Sequence, residues 1–281
     1  MILPKITLID VNWQQLMGNE KFVCKQADIP EGKFTIYFDR SQPQPPLKLN
    51  NFPHQALMAL PFPVSINKIN IRHLNFSYEE YNPLTDKNGK IYFDELAIQI
   101  NNVTNIIAEI KSKPLLNVSA SASFMHHVPF SAKFNFNLAK YRTGNFTSVI
   151  NIGLLNDTTI NTIAEPLGLF SVKSGQMQKS VIKVEGDNYN TKGKITMYYT
   201  DLKITPLKKD EVGRLKKKTF TGILANMLLV KNDNPKGKEL REPEFTVTRT
   251  THKNFLIFWK SILTGVVKTV GIPEKFAESK N

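Results

Sequence analysis

Five histidines, His54, His73, His126, His127 and His252, are the residues best suited to proton transfer or metal binding in this 281-residue chain. Metal chemistry needs imidazoles, thiolates or carboxylates that converge on one ion, as a helical HExxH does. No HExxH, no HxH and no carboxylate at metal-ligand spacing accompanies these histidines. His126 and His127 open a strand-like stretch, so their side chains point to opposite faces. Cys24 is the only cysteine, which excludes an intramolecular disulfide and a cysteine-based zinc site. Asp39, Asp94, Glu95 and Asp201 are scattered along strand-like stretches with no convergent partner. No nucleophile elbow, phosphate loop or dinucleotide fingerprint occurs. The residues therefore give no support for an enzyme, and none for a metal or cofactor. Five Asn-x-Ser/Thr sequons, such as NVT at 102–104 and NFT at 145–147, are what an Asn- and Thr-rich chain produces by chance.

The elements that would position any site are mostly strands. Hydrophobic residues make up 41% of the chain and Phe alone numbers 18, enough for a sizeable core. In residues 127–138, HVPFSAKFNFNL, Val128, Phe130, Ala132, Phe134, Phe136 and Leu138 alternate with polar residues. Val118, Ala120, Ala122 and Phe124 alternate before it, and Phe146, Ile150, Ile152 and Leu154 after it. Strict period-2 alternation means a sheet with one apolar face and one wet face, and short linkers favour an antiparallel meander. Residues 33–40 alternate likewise. Residues 41–64 are Pro-rich and read as an extended connector.

Three stretches change face partway. Ile69 and Ile71 are odd, but Leu74, Phe76 and Tyr78 are even. Ile91 and Phe93 are odd, but Leu96, Ile98 and Ile100 are even. In GKITMYYTDLKITPL, residues 193–207, Ile195, Met197 and Tyr199 give way to Leu202 and Ile204. One extra residue flips every side chain that follows, so a β-bulge is expected at each switch, with a bend in the sheet. Asn88-Gly89 predicts the turn of a long hairpin. Residues 157–168 predict a short helix capped by Asp157 or Thr158 and ended by Pro166 and Gly168. Two amphipathic helices are expected near the end, at 219–231 and 254–271.

The charge is lopsided, with 37 Lys and Arg against 24 Asp and Glu and a formal net charge of +13. Such a surface attracts polyanions, or simply keeps the protein soluble. Nucleic acid is not the expected partner, because the aromatics share their face with Ile, Leu and Val while the lysines alternate away from them. The basic run at 208–218 beside an amphipathic helix suits an anionic membrane surface. Both C-terminal helices have a plainer use, which is to cover the sheet.

LNFSYEEYNPLTDKNGKIYFDELAIQINNVT, with Tyr81, Gly89, Ile91, Phe93, Leu96, Ile100, Asn102 and Thr104, resembles a hairpin unit of the AsmA-like envelope proteins. AEPLGLFSVKSGQMQ followed by GKITMYYTDLK, with Gly193, Met197, Tyr199, Asp201, Leu202 and Lys203, resembles their closing segment. The likeness covers about half of the chain, and residues 1–60 match poorly. What it implies is a curved periplasmic β-sheet with an apolar groove, as in the TamB-like relatives, and a role in outer-membrane homeostasis by moving phospholipid between two membranes. It also implies an inner-membrane anchor on an N-terminal segment that this sequence lacks.

The resulting expectation is a mainly β protein, a long, curved antiparallel groove with two C-terminal helices. Its parts are 1–60 (N-terminal strands and connector), 61–207 (the groove) and 208–281 (basic segment and helical cap). Its partners are a phospholipid or other anionic lipid and a membrane surface. The candidate lipid-facing residues are Phe130, Phe134, Phe136, Ile150, Ile152, Ile195, Met197 and Tyr199. The candidate headgroup or membrane-surface residues are Lys208, Lys209, Arg214, Lys216, Lys217, Lys218 and Trp259. The alternative is a structural or adhesive β-sandwich whose apolar rows face a second sheet.

Overall fold

The computed structural model describes residues 5–43, 46–168, 170–209, 215–217, 231–250 and 254–271. These fold mainly as β structure. Among the described residues, thirteen strands join one sheet that does not close into a barrel. Strands β1 (Thr7–Val11), β2 (Phe22–Ile29) and β3 (Gly32–Asp39) come first, followed by the long hairpin β4 (Val64–Asn82) and β5 (Lys87–Thr104). Next are β6 (Leu115–Phe124), β7 (Val128–Asn137), β8 (Phe146–Ile152) and the two-residue β9 (Leu155–Asn156). A second long hairpin, β10 (Phe170–Gly186) and β11 (Asn190–Lys209), is followed by the short β12 (Leu215–Lys217) and β13 (Glu244–Thr248). The middle is the expected meander, with β4-β5-β6-β7-β8-β10-β11 neighbours in that order.

One departure from an antiparallel sheet lies at the N-terminal side. Both β2 and β3 pair with β4 in parallel, with one constant offset: Phe22 stands beside Val64 and Gly32 beside Leu74. They act as a single long strand broken at Pro30-Glu31, where Pro30 removes a ladder donor. Residues 5–39 thus belong to the same sheet as the hairpin they precede.

The face switches are bulges. Pairing in β4–β5 shifts between Ile71 and Phe76, and His73 and Glu95 both take positive φ there. The two slips compensate, so Ile71 still faces Ile98 and Phe76 still faces Phe93. In β10–β11 the register shifts between Val172 and Lys179, and Asp201 has φ 53°. With the breaks at Pro30-Glu31 and Gly153-Leu154, these irregularities form a crease that crosses the sheet. At Asp201 the crease has a further effect. The amides of Asp201 and Leu202 turn outward and donate to Asp233 Oδ1 (2.9 Å) and Asn232 O (2.8 Å). The outer edge of β11 is therefore covered in three pieces, by β13, by residues 232–234 and by β12. A β-branched residue is poorly tolerated at positive φ. Asp201→Val should lose about 1–2 kcal/mol and Asp201→Gly should stay near wild type, as read from urea midpoints.

Helices cover the apolar side. They are α2 (Pro53–Met58), α4 (Asp157–Gly168) and α5 (Asn254–Val270); α1 (Trp13–Asn19) and α3 (Ile107–Ser112) are connectors at one end. Helix α2 interrupts the stretch expected to be an extended connector. Pro53 sits at its first turn, and Gln55 accepts the Phe52 amide (3.1 Å), so the local chemistry starts a helix despite the prolines. Helix α4 contacts β4, β5, β9 and β10. Its cap is Asn156, whose Oδ1 accepts from Thr159 N (3.0 Å), rather than Asp157 or Thr158. Asn161 on α4 acts like a strand neighbour, exchanging two hydrogen bonds with the Val172 backbone (2.7 and 2.8 Å). The β4–β5 turn falls at Pro83–Asp86, where Asp86 takes positive φ, and Asn88-Gly89 lies inside the ladder. Gly89 is needed instead for close packing, because a Cβ there would lie 2.5 Å from Leu167 Cγ of α4. The helix expected at 219–231 lies outside the described residues.

Candidate functional site

The apolar face carries two packed clusters. The larger includes Phe52, Phe136, Phe146, Ile150, Ile182, Ile195, Met197 and Tyr199; the smaller includes Tyr78, Ile91, Phe124 and Val128. Of the eight residues expected to face lipid, five are buried: Phe136, Ile150, Ile195, Met197 and Tyr199. Phe130, Phe134 and Ile152 are half-buried and pack against the core. All eight share the apolar side, but α5 covers most of them. Phe258 of α5 stacks edge-on against Phe134 (5.3 Å) and Phe146 (4.9 Å). The Tyr199 hydroxyl donates to Thr269 O (3.3 Å) and accepts from Arg241 (3.0 Å), while burial raises its pKa. These residues form a core beneath a helix, and an open path does not run along β11.

Part of the apolar side remains uncovered. Across β4, β5, β6 and β7, Ile69, Ile100, Val118 and Phe134 stand in register; Ile71, Ile98, Ala120 and Ala132 form the next row. Apart from buried Ala132, all of these are half-buried. The two rows make a continuous apolar strip that emerges from under Phe258 and runs to β4. The alternation was visible in the sequence, but which rows a helix covers was not, because α5 lies more than a hundred residues away in sequence. On the opposite face the residues are polar. Open depressions there are lined by Asn135, Asn137, Thr147 and Lys192, and by Lys68, Asn70, Gln99 and Ser119.

The basic candidates are positioned differently from each other. Lys208 and Lys209 lie at the end of β11, with Lys216 of β12 opposite Lys208 and Lys217 opposite Leu207. Arg214 and Lys218 lie outside the described residues. Trp259, expected at a membrane surface, is half-buried and packs against the cluster around Tyr78, Ile91 and Phe124. That contact corrects its expected role: α5 turns this side of the helix inward.

Among the described residues no group of three His, Cys, Asp or Glu could hold a metal ion, and no helix is long and apolar enough to cross a membrane. His73 pairs with Glu95 and His126 with Asp94 (2.8 Å), both at the surface beside the crease. His54 is different: it is fully buried between Phe52 and Phe136, with ring centroids 6.1 and 5.2 Å away. A more polar cluster holds β3 to β4. Glu80, 2% exposed, pairs with Arg40 and accepts from the Tyr78 hydroxyl. No feature of the sequence distinguished Glu80 from the half-buried Glu79 beside it, because its burial depends on which elements pack around it.

Protein-family models, curated proteins and solved structures compared with the chain gave no match.

Proposed function

We propose that this chain is a non-enzymatic, AsmA-like lipid-binding protein of the bacterial cell envelope, contributing to outer-membrane homeostasis from the periplasm. Its ligand is the acyl portion of a phospholipid or other anionic lipid, held along the strip of Ile69, Ile71, Ile98, Ile100, Val118 and Phe134. The observation that carries this reading is the continuity of that half-buried strip from β4 to the edge of α5. Covering an Ile or Val completely stabilises by about 1.5–3 kcal/mol. A half-covered row therefore retains favourable apolar surface for a chain-like ligand. The resemblance of the two long hairpins to AsmA-like units gives the same direction. A β-sandwich needs a second sheet over the apolar rows, and the layer found there among the described residues is α2, α4 and α5.

The test is organic extraction of the purified, folded protein followed by mass spectrometry. Phospholipid should co-purify with the wild type, and Ile100→Gln together with Val118→Gln should lower its amount several-fold without loss of the unfolding transition. A folded wild type that carries no lipid, and takes up none from labelled phospholipid, overturns the reading.

A further inference from the structure

One end of the sheet gathers exposed apolar side chains and cations on several connectors. Its connectors are α1 between β1 and β2, residues 59–63 before β4, α3 between β5 and β6, the 3-10 turn Leu138–Thr143 between β7 and β8, and the turn between β10 and β11. Hydrogen bonds stitch them into a rim: Phe22 N to Pro63 O (2.9 Å), Asn105 Nδ2 to Phe62 O (2.9 Å), Leu138 N to Pro114 O (2.8 Å) and Asn188 N to Thr143 O (2.9 Å).

Large apolar side chains are exposed along this rim. Trp13 is 65% exposed and Met17, one helical turn on, 83%. Phe62 is 45% and Ile107 57% exposed; Leu60 and Leu115 are also exposed. At the opposite end, Leu84 of the β4–β5 turn and Leu154 after β8 are exposed. Cations stand among the rim residues: Lys111 and Lys113 at the end of α3, and Lys140 and Arg142 on the 3-10 turn, are all exposed. The rim's acids are fewer and partly occupied. Glu109 pairs with Lys21 (3.9 Å) and accepts from Ser65 Oγ (2.7 Å), and Asp187 accepts the Tyr189 and Asn190 amides; Glu20 is exposed.

We infer that this rim is a membrane-docking surface that inserts Trp13, Met17, Phe62 and Ile107 into the interface of an anionic bilayer, with Lys111, Lys113, Lys140 and Arg142 on the headgroups. Trp suits the headgroup boundary, where an apolar ring and a polar N–H are both satisfied. Each nearby cation adds favourable energy with an anionic leaflet, an effect that salt screens. A soluble partner protein would not require cations flanking protruding apolar tips on several separate connectors. The rim is distinct from the acyl strip, so either can hold if the other fails.

The chain has two tryptophans. Trp259→Phe leaves Trp13 as the only reporter. With vesicles of phosphatidylcholine and phosphatidylglycerol, Trp13 emission should shift to the blue and the protein should float with the vesicles. With phosphatidylcholine alone, or in high salt, both effects should fall at least ten-fold in affinity. Phe62→Glu with Ile107→Glu should weaken flotation of the otherwise wild-type chain by a similar factor, and Leu84→Glu should leave it unchanged. These positions are exposed, so unaltered thermal unfolding is the check on folding. Unshifted Trp13 emission, equal binding to neutral vesicles, or an equal loss in Leu84→Glu overturns the proposal. Co-purified lipid is measured on the same samples: a chain that keeps its lipid but ignores vesicles removes the rim alone, and the converse removes the strip alone.

Discussion

Acidification from neutral pH to about pH 4 is expected to cost the fold about 3 kcal/mol through His54 alone. The side chain is fully buried in an aromatic pocket, and neither ring nitrogen has a hydrogen-bond partner among the described residues. Burial disfavours the imidazolium and lowers the pKa from the ordinary 6.5 to about 4. The Arg249 guanidinium lies 5.0 Å from the Phe52 ring that flanks His54, which makes a second cation there still less welcome. The unfolded chain binds a proton near pH 6.5 and the folded chain does not. Stability is therefore complete above pH 6.5 and falls as the pH drops toward 4, below which both states are protonated. In urea titrations, the wild type should lose stability across that window more steeply than His54→Phe. At pH 7 the variant should be at least as stable, because it removes two desolvated nitrogens without removing a hydrogen bond. Equal pH slopes for the two proteins would show that the imidazole is not held neutral.

The second large effect is expected at Phe245. Its ring is 3% exposed and is gripped between two glycines. Gly193 is its direct neighbour across β11–β13, and a Cβ there would lie 2.4 Å from the ring and 2.6 Å from Lys183 O. Gly265 of α5 lies above it, with a Cβ position 2.9 Å from the ring. The ring thus fills the space that the strand glycine leaves and seats the helix on it, an aromatic cover over a gap in a strand. Phe245→Ala should cost about 3–5 kcal/mol, at the upper end for cavity formation because two glycines cannot fill the void. Since Trp259 rides on the same helix, its fluorescence should shift with the loss. Gly193→Ala tests the other side of the contact and should cost about 1–3 kcal/mol by overpacking. A Phe245→Ala protein that loses less than about 1 kcal/mol would mean that α5 is held chiefly elsewhere.

Much of the sheet is legible from side-chain period alone. Strict alternation over Val128–Asn137 places β7 and its apolar face, and the changes of parity near Ile71, Phe93 and Asp201 mark bulges that the backbone contains. Parity is a local property, and that is why it survives translation from sequence to structure. Non-local facts do not. The parallel seating of β2 and β3 on β4 joins residues 42 positions apart with no turn to announce it. Burial of His54 and of Glu80, and the covering of Ile195 and Met197 by α5, follow from which elements meet. Four of the fourteen residues behind the AsmA-like resemblance occupy joints of the fold, and others, such as Ile91 and Met197, are core residues. Gly89 lies under Leu167, Gly193 under Phe245, Asn102 takes positive φ and holds the Lys113 and Leu115 carbonyls, and Asp201 makes the crease. Such positions preserve a shape and leave the ligand unspecified. The rim was equally hidden, because Trp13, Phe62 and Ile107 gain meaning only when their connectors are drawn to one end.

The covering of β11 by β13, residues 232–234 and β12 has a consequence for self-association. Exposed strand edges are templates on which further chains add. Runaway polymerisation needs two of them, one to accept a monomer and one to offer the next site. Here the cover hands the far border on to β13, which pairs only with β11, so among the described residues its outer side has no strand partner, as is true of β1 and β3 at the other border. What restrains edge-to-edge growth at the far border is brevity: β13 is five residues long, and the cover beside it is broken into short pieces, so a further strand would find little continuous ladder to join.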